Sequence, residues 1–222
     1  MISFDTLINI AIAKKGGLEA LRASLPDVKN AEELKQIGDD RYLSEMARCV
    51  FRAGFSWKVI DGKWPDFETV FGGFNPVGVA YFSDDKLAEL VQDKRIVRNA
   101  GKIKSVRDNA AFILDIQQEY GSYGAFIADW PGSDVTGLWL QLKQKGSRLG
   151  GNSGPMSLRL AGKDTFILTG DVIAALVNHK LVDAVNPSAK RDLAKVQGVF
   201  NRLREESGYP LAHISRILAM AV

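Results

Sequence analysis

The sequence predicts an all-α protein built as two helical lobes. Three observations predict it. Apolar residues recur at three- and four-residue spacing through most of the chain, the period of a helix with one buried face. Strand signals shrink to one short, isolated apolar run, Asp164–Thr169. A single Trp-Pro-Gly-Ser-Asp stretch at 130–134 breaks the helical pattern near mid-chain, where a hinge between lobes is expected. Residues 1–222 are therefore read as one helical domain in two lobes.

The individual helices follow from their stripes and stops. Leu43, Met46, Ala47, Val50 and Gly54 recur at helical spacing and are expected on one helix face. Ile103, Val106, Ala110, Ile113, Leu114 and Gln117 form a longer stripe, with Gly121 placed to terminate it in a left-handed conformation. Leu193, Val196, Val199, Phe200 and Leu203 form another, broken at Ser207-Gly208, and Pro210 suits the first turn of a last helix. No repeat of fixed period and no low-complexity tract is present.

Composition narrows the class. With 222 residues, 46% hydrophobic and 25% charged, the chain is long enough for a sizeable core. No apolar run reaches the roughly 18 residues of a membrane span, and Met1–Leu21 lacks the basic start and clean apolar core of a secretory signal. Cys49 is the single cysteine, so no internal disulfide can form, and a reducing, cytoplasmic setting is expected. Beside it only His179 and His213 are soft ligands, so neither a metal nor another cofactor is expected. Cys49 itself reads as a small buried hydrophobe, and the histidines as surface or satisfied helix residues.

Charge is unevenly spread. The chain carries only +3 overall, yet Lys and Arg exceed Asp and Glu by five in residues 86–107 and by five in residues 143–163. Two basic segments in an otherwise acidic chain suit a polyanion; two solvated helix faces would look the same. Both segments read as helix–hairpin–helix units, Leu87–Ala110 turning at 96–101 and Val135–Leu160 turning at 149–154. In such a unit the second helix aims its unpaired N–H groups at a phosphate. Candidate DNA contacts are Gly150, Gly151, Asn152, Ser153, Gly154, Ser157 and Arg148 in the second unit, and Lys102 and Lys104 in the first. The glycines would let backbone amides approach an anion. A plain turn is the alternative.

Two groups of motifs carry a resemblance. Phe51-Arg-Ala-Gly-Phe-Ser-Trp57, Lys63-Trp-Pro-Asp-Phe67, Phe74-Asn-Pro76, Leu90-Val-Gln-Asp93, Ile96-Val-Arg-Asn99, Gly101-Lys-Ile103 and Asn109-Ala110 resemble the type I 3-methyladenine DNA glycosylases over roughly residues 40–115. Leu149-Gly-Gly-Asn-Ser-Gly154, Lys163-Asp-Thr-Phe166 and Gly170-Asp171 resemble the wider helix–hairpin–helix base-excision glycosylases, with one extra residue in the hairpin and another before Asp171. The resemblance implies a DNA-facing cleft, double-stranded DNA with alkylated bases as partner, a monomer, and hydrolysis of the N-glycosidic bond of an alkylated purine, 3-methyladenine first. It assigns Asp171 to the sugar as the catalytic carboxylate, although Asp171 also reads locally as a helix N-cap. It assigns Trp57 to the base, flanked by Phe51 and Phe55; all three also suit a helical core.

The chain departs from the family pattern in two places. The cysteine- and tryptophan-containing start and the Tyr-His-Asp-type motif are missing, and the family's zinc ligands with them. The glutamate that reads the base, eight residues before the motif tryptophan, is Cys49 here; Glu45, one turn back on the same helical face, is the candidate to reach the same pocket.

The implied chemistry is simple. A flipped base lies between apolar walls, a cationic alkylpurine is drawn to aromatic faces, and an ionised Asp171 stabilises the oxocarbenium-like sugar and orients water. The residues after the hairpin, Pro155-Met-Ser-Leu158, include no lysine, so water rather than a Schiff base is the expected nucleophile. A non-catalytic binder of damaged DNA and a helical protein scaffold are the competing readings.

Overall fold

The computed structural model describes residues 2–222. Among these residues, fourteen α-helices account for most of the regular structure: α1 Phe4–Lys15, α2 Leu18–Arg22, α3 Ala31–Gln36, α4 Asp39–Arg52, α5 Trp57–Val70, α6 Pro76–Ala80, α7 Asp84–Gln92, α8 Ala100–Tyr120, α9 Tyr123–Asp129, α10 Val135–Lys145, α11 Ser153–Ala161, α12 Gly170–Asn178, α13 Lys190–Ser207 and α14 Leu211–Met220. No strand is present among the described residues. The all-α expectation holds, and none of the helices is long and apolar enough to cross a membrane.

The chain forms two compact units. One holds residues 30–130 and 138–161, the other residues 1–29, 131–137 and 162–222. A change of unit falls at Trp130–Pro131, beside the stretch whose composition suggests a hinge.

In the 30–161 unit, α4 is the central helix and packs on α5, α8 and α11. Its sequence explains this. Leu43, Met46, Ala47, Val50 and Phe51 fall on one face and are buried, with Phe51 and Leu43 fully so. At its N-terminus the Asp39 carboxylate accepts hydrogen bonds from the Tyr123 amide and the Gln117 amide group, tying α4 to α8 and α9. Beyond α4, Gly54 takes φ +72°, a conformation that favours glycine, and the chain turns directly into α5 with Trp57 as its first residue. An aromatic ladder fills the space beneath: Trp64 stacks on Phe67 at 4.8 Å and on Phe74 at 5.4 Å. Each such pair contributes about 0.5–1.5 kcal/mol beyond its buried area. The Trp64 indole N–H is met by Ser44 Oγ and Glu68 Oε1, each at 3.1 Å.

In the other unit, α14 packs on α1, α12 and α13. The apolar run Asp164–Thr169 is not a strand. It is extended chain threaded through the core, and α14 satisfies its polar groups: the Ile167 amide donates to Ser215 Oγ at 3.1 Å. Asp164 accepts from the amides of Leu211 and Ala212 and so caps α14. Side chains replace the ladder a strand would need. The predicted stops are found: Gly121 ends α8 at φ +83° and Gly208 ends α13 at φ +71°. Pro210 lies just before α14 rather than inside its first turn.

Candidate base-binding site

The last turn of α4, the first residue of α5 and the start of α11 enclose a cavity of about 200 Å3. It is lined by Cys49, Arg52, Ala53, Trp57, Asn152, Ser153 and Met156. All lie in the 30–161 unit. The α4–α5 turn supplies one wall because Gly54 reverses the chain within a few residues of Cys49. The glycine hairpin supplies the other because it delivers Asn152 and Ser153 at the head of α11. Sequence places these hairpin residues on a phosphate; the fold seats them on the rim of a pocket.

Trp57 is 48% exposed and offers its ring to the cavity. One face is already occupied: the Arg52 guanidinium lies 4.6 Å from the ring centroid. Arg52 is held there by Asp61, whose Oδ1 accepts from Nε at 3.0 Å and from Nη2 at 2.5 Å. The attraction of a bare aromatic face for a cationic base is thus already taken up by a protein cation. Cys49 is buried at the cavity floor. Burial, and then the charge of Glu45, push its thiol up to about 12 against the opposing pull of Arg52 and Arg48. The position where a base-reading carboxylate is expected therefore carries a neutral group.

Three of the base-binding assignments are corrected. Phe51 is fully buried and packs edge-on against Phe67 at 4.6 Å, because its position on α4 faces the core. Phe55 is 49% exposed but lies over the Lys102 ammonium and does not line the cavity. Glu45 is also absent from the lining. It pairs with Arg48 at 3.0 Å, and its Oε2 is buried without a hydrogen-bond partner among the described residues. Arg48 in turn covers Trp64 at 4.7 Å.

The DNA-contact assignments divide as well. Lys102 is buried, and its ammonium donates to the carbonyls of Phe51 at 3.1 Å and Ala53 at 2.6 Å. It caps the C-terminus of α4, where a cation suits the helix dipole, and is not presented to a phosphate. Burial, and then Arg148, lower its pKa. Ser157 is buried too, its hydroxyl bonded to the Gly154 carbonyl at 2.8 Å, because α11 starts at Ser153 and Ser157 already lies in its second turn. Lys104 is exposed but paired with Asp108 at 2.8 Å. Lys86, Arg95 and Arg107 are likewise paired, with Glu89, Asp93 and Asp84. Much of the first basic segment is thus neutralised locally.

In the second hairpin, only some glycines act as expected. Gly151 needs its φ of +59°, and a side chain at Gly154 would meet the Leu149 carbonyl at 2.5 Å; Gly150 has neither constraint. The Ser153 and Gly154 amides bond inside the turn, to the carbonyls of Gly150 and Leu149. Arg148 is exposed at φ +59° and reaches across to the Gly101 carbonyl at 3.1 Å. With Asn109 bonded to Ser147 through both its amide and its carbonyl, this holds the α7–α8 and α10–α11 turns side by side. Lys143 and Lys145 lie at the end of α10, Lys145 exposed and Lys143 near it in the last turn.

Asp171 belongs to the other unit. The N-cap of α12 is Thr169, whose hydroxyl accepts from the Val172 amide at 3.3 Å, so Asp171 sits inside the first turn and not at the cap. It is exposed and shares a shallow concavity of about 360 Å3 with Lys14, Lys15, Arg216 and the C-terminal residues Ala219, Met220 and Val222. Among the described residues no cluster of three or more His, Cys, Asp or Glu is placed to hold a metal ion.

Sequence reasoning missed Arg52, Ala53 and Met156 as pocket residues. Arg52 stands inside the Phe51–Trp57 motif, five residues before the tryptophan, and that proximity was a usable signal. Met156 had none.

In this helical unit a half-exposed tryptophan and two residues of the glycine hairpin line one small cavity. Residues 34–173 match the methyladenine glycosylase family, well over half of the chain, and the chain belongs to that family. It is 33% identical over 76 residues to DNA-3-methyladenine glycosylase 1 of Escherichia coli strain K12, across 34% of this chain and 41% of that protein. The matched part thus spans less than half of that relative's length. The 3-methyladenine DNA glycosylase I of Staphylococcus aureus is similar in structure at a TM-score of 0.51 and 25% identity, over 56% of this chain and 77% of that one. An 8-oxoguanine DNA glycosylase of Methanocaldococcus jannaschii shares the fold over 95% of this chain and 90% of its own, with a TM-score of 0.57 and 13% identity.

Proposed function

We propose that the protein hydrolyses the N-glycosidic bond of an alkylated purine in double-stranded DNA, with 3-methyladenine as the first substrate and water as the nucleophile. The observation that carries this reading is the Trp57 cavity: the motif tryptophan of a methyladenine glycosylase opens onto a space of about 200 Å3 bordered by the hairpin residues Asn152 and Ser153. A base turned out of the duplex needs an apolar floor, a ring to stack on and polar groups at the rim. Cys49, Trp57 and Asn152 supply these in turn. The head of α11 lacks a lysine, which supports a monofunctional hydrolase over a Schiff-base lyase.

Asp171 is the carboxylate assigned to the sugar. Its exposed place in the first turn of α12, in a concavity it shares with the cations Lys14, Lys15 and Arg216, supports the assignment. The test is base release from methylated DNA by purified protein with no added metal, the released bases being separated by chromatography. Release of 3-methyladenine by the wild type, reduced about 10- to 100-fold in Trp57→Ala, is the expected result. A second reading, a non-catalytic binder of damaged DNA, is favoured by the neutral Cys49 in place of a glutamate; tight binding of methylated duplex with no base release would establish it.

A further inference from the structure

One charged side chain lines the Trp57 cavity, and it is a cation. Among Cys49, Arg52, Ala53, Trp57, Asn152, Ser153 and Met156, only Arg52 carries charge. The carboxylates nearby do not line the cavity: Asp61 is paired with Arg52 and Glu45 with Arg48, and Glu45 acts on Cys49 only by its charge. Asp61 takes Nε and Nη2 of Arg52 through one oxygen, which leaves Nη1 outside the pair. The Arg52 side chain is only 11% exposed, so its charge acts from a sheltered position. Where the family pattern leads one to expect a carboxylate facing the base, this pocket has a neutral thiol and a guanidinium.

The sign of that charge matters for bond breaking. In a 3-alkylated adenine nucleotide the base is cationic. When the C1′–N9 bond breaks, the electron pair stays on N9, the base leaves neutral and the positive charge passes to the sugar; water then adds to C1′ and gives its proton to solvent. In a neutral 6-oxopurine the same break leaves the base as an anion. Water adds to C1′, and the proton it releases ends on the base, giving a neutral free base and an abasic site. In both cases negative charge grows on the base, and a guanidinium beside it binds the transition state better than the ground state. Relative to the bound ground state the change of charge is the same for both bases. Measured from free enzyme and substrate, as kcat/KM, the gain is larger for the neutral base. Arg52 attracts its anionic leaving group, whereas it repels the cationic base on binding and meets only a neutral one on departure. Guanidinium donors also match the O6 and N7 acceptors of a 6-oxopurine edge.

We propose that Arg52 is a catalytic residue acting on the leaving base, and that it extends this chain's activity to neutral 6-oxopurines in DNA, hypoxanthine being the simplest. The proposal rests on the glycosylase reading above. It identifies a substrate class by the pocket's charge rather than by the family's.

The experiment compares two substrates, a duplex with a single deoxyinosine and methylated duplex DNA, with the wild type, Arg52→Met and Arg52→Lys. The wild type is expected to release both hypoxanthine and 3-methyladenine. Arg52→Met is expected to lose about 100-fold in hypoxanthine release, with a much smaller loss on 3-methyladenine, and Arg52→Lys to recover part of the hypoxanthine activity. Release of 3-methyladenine without hypoxanthine overturns the proposal and leaves the glycosylase reading standing; release of neither overturns both. An equal loss on the two substrates in a folded Arg52→Met protein also overturns it, since Arg52 then only supports the pocket. If circular dichroism shows that Arg52→Met does not fold, Asp61→Asn decides. Removing the neutralising carboxylate should raise the hypoxanthine to 3-methyladenine ratio several-fold, and an unchanged or lower ratio counts against the proposal.

Discussion

Trp57 and Asp171 are the two residues to which the sequence motifs point most directly, and the fold treats them differently. Trp57 lies half-exposed beside a small pocket between the end of α4 and the head of α11, lined also by a buried thiol, with a guanidinium on its ring. Asp171 lies on an open surface with three cations around it. A sheltered charge such as Arg52, whose side chain is 11% exposed, is screened little by water, whereas an exposed carboxylate such as Asp171 is screened until a partner covers it. On the proposed function, the contrast assigns base selectivity to the Trp57 region and makes any electrostatic work by Asp171 dependent on bound DNA.

Mutations can break or sharpen this contrast. The largest effect is expected at Asp171: Asp171→Asn should lower base release by about 100- to 1000-fold, the scale for losing one transition-state electrostatic partner, while a binding titration on undamaged duplex stays near wild type. Unchanged single-turnover release would remove Asp171 from the mechanism. Trp57→Ala should reduce release by about 10- to 100-fold, the worth of one base stacked on an aromatic ring, and should weaken binding of damaged duplex more than of undamaged duplex.

The two basic segments offer a second, smaller contrast. Lys102→Met should cost about 1–3 kcal/mol of stability in urea denaturation, because buried carbonyls at the end of α4 lose a charged donor, and should leave the salt dependence of DNA binding unchanged. Alanine at both Lys143 and Lys145 should do the reverse, with no stability change and a shallower slope of log affinity against log salt, by about 1 for each phosphate that is no longer neutralised.

The smallest effect concerns Cys49. Its folded pKa is raised to about 12, against roughly 8.5 for a free thiol. A raised pKa means that the neutral thiol's contribution to stability is fully present below about pH 8.5 and is lost as pH climbs toward the folded value. Cys49→Ser should flatten that alkaline decline in thermal melts. Iodoacetamide should label native Cys49 slowly at about pH 8, and a thiol that reacts as fast as free cysteine would contradict its place at the pocket floor.

How much of this was legible in the sequence follows from what each signal measures. Helical stripes and glycine stops report local geometry, so α4, α8 and α13 and their ends could be read directly. The run Asp164–Thr169 could not: its apolar content announced burial, but only the Ser215 and Asp164 hydrogen bonds show that extended chain can be buried there without a ladder. The motif around Trp57 located the pocket, yet its other aromatics point elsewhere: Phe51 falls on the core face of α4, and Phe55 lies in the turn between α4 and α5, against Lys102. Charge was the least legible signal. Sequence counts cations, and the fold decides which are paired, as Lys104 and Arg107 are, or buried, as Lys102 is.

The amino-acid order by itself determined that the chain is helical, that a glycine hairpin at 149–154 turns it, and that Cys49 replaces an expected carboxylate. Each of these depends on a residue and its near neighbours. The tertiary structure alone decided that Arg52 covers Trp57, that the hairpin borders a base-sized cavity, and that Lys102 is a helix cap. Those facts depend on which side chains meet across α4, α5, α8 and α11, and such meetings are set by packing of distant segments rather than by any local pattern.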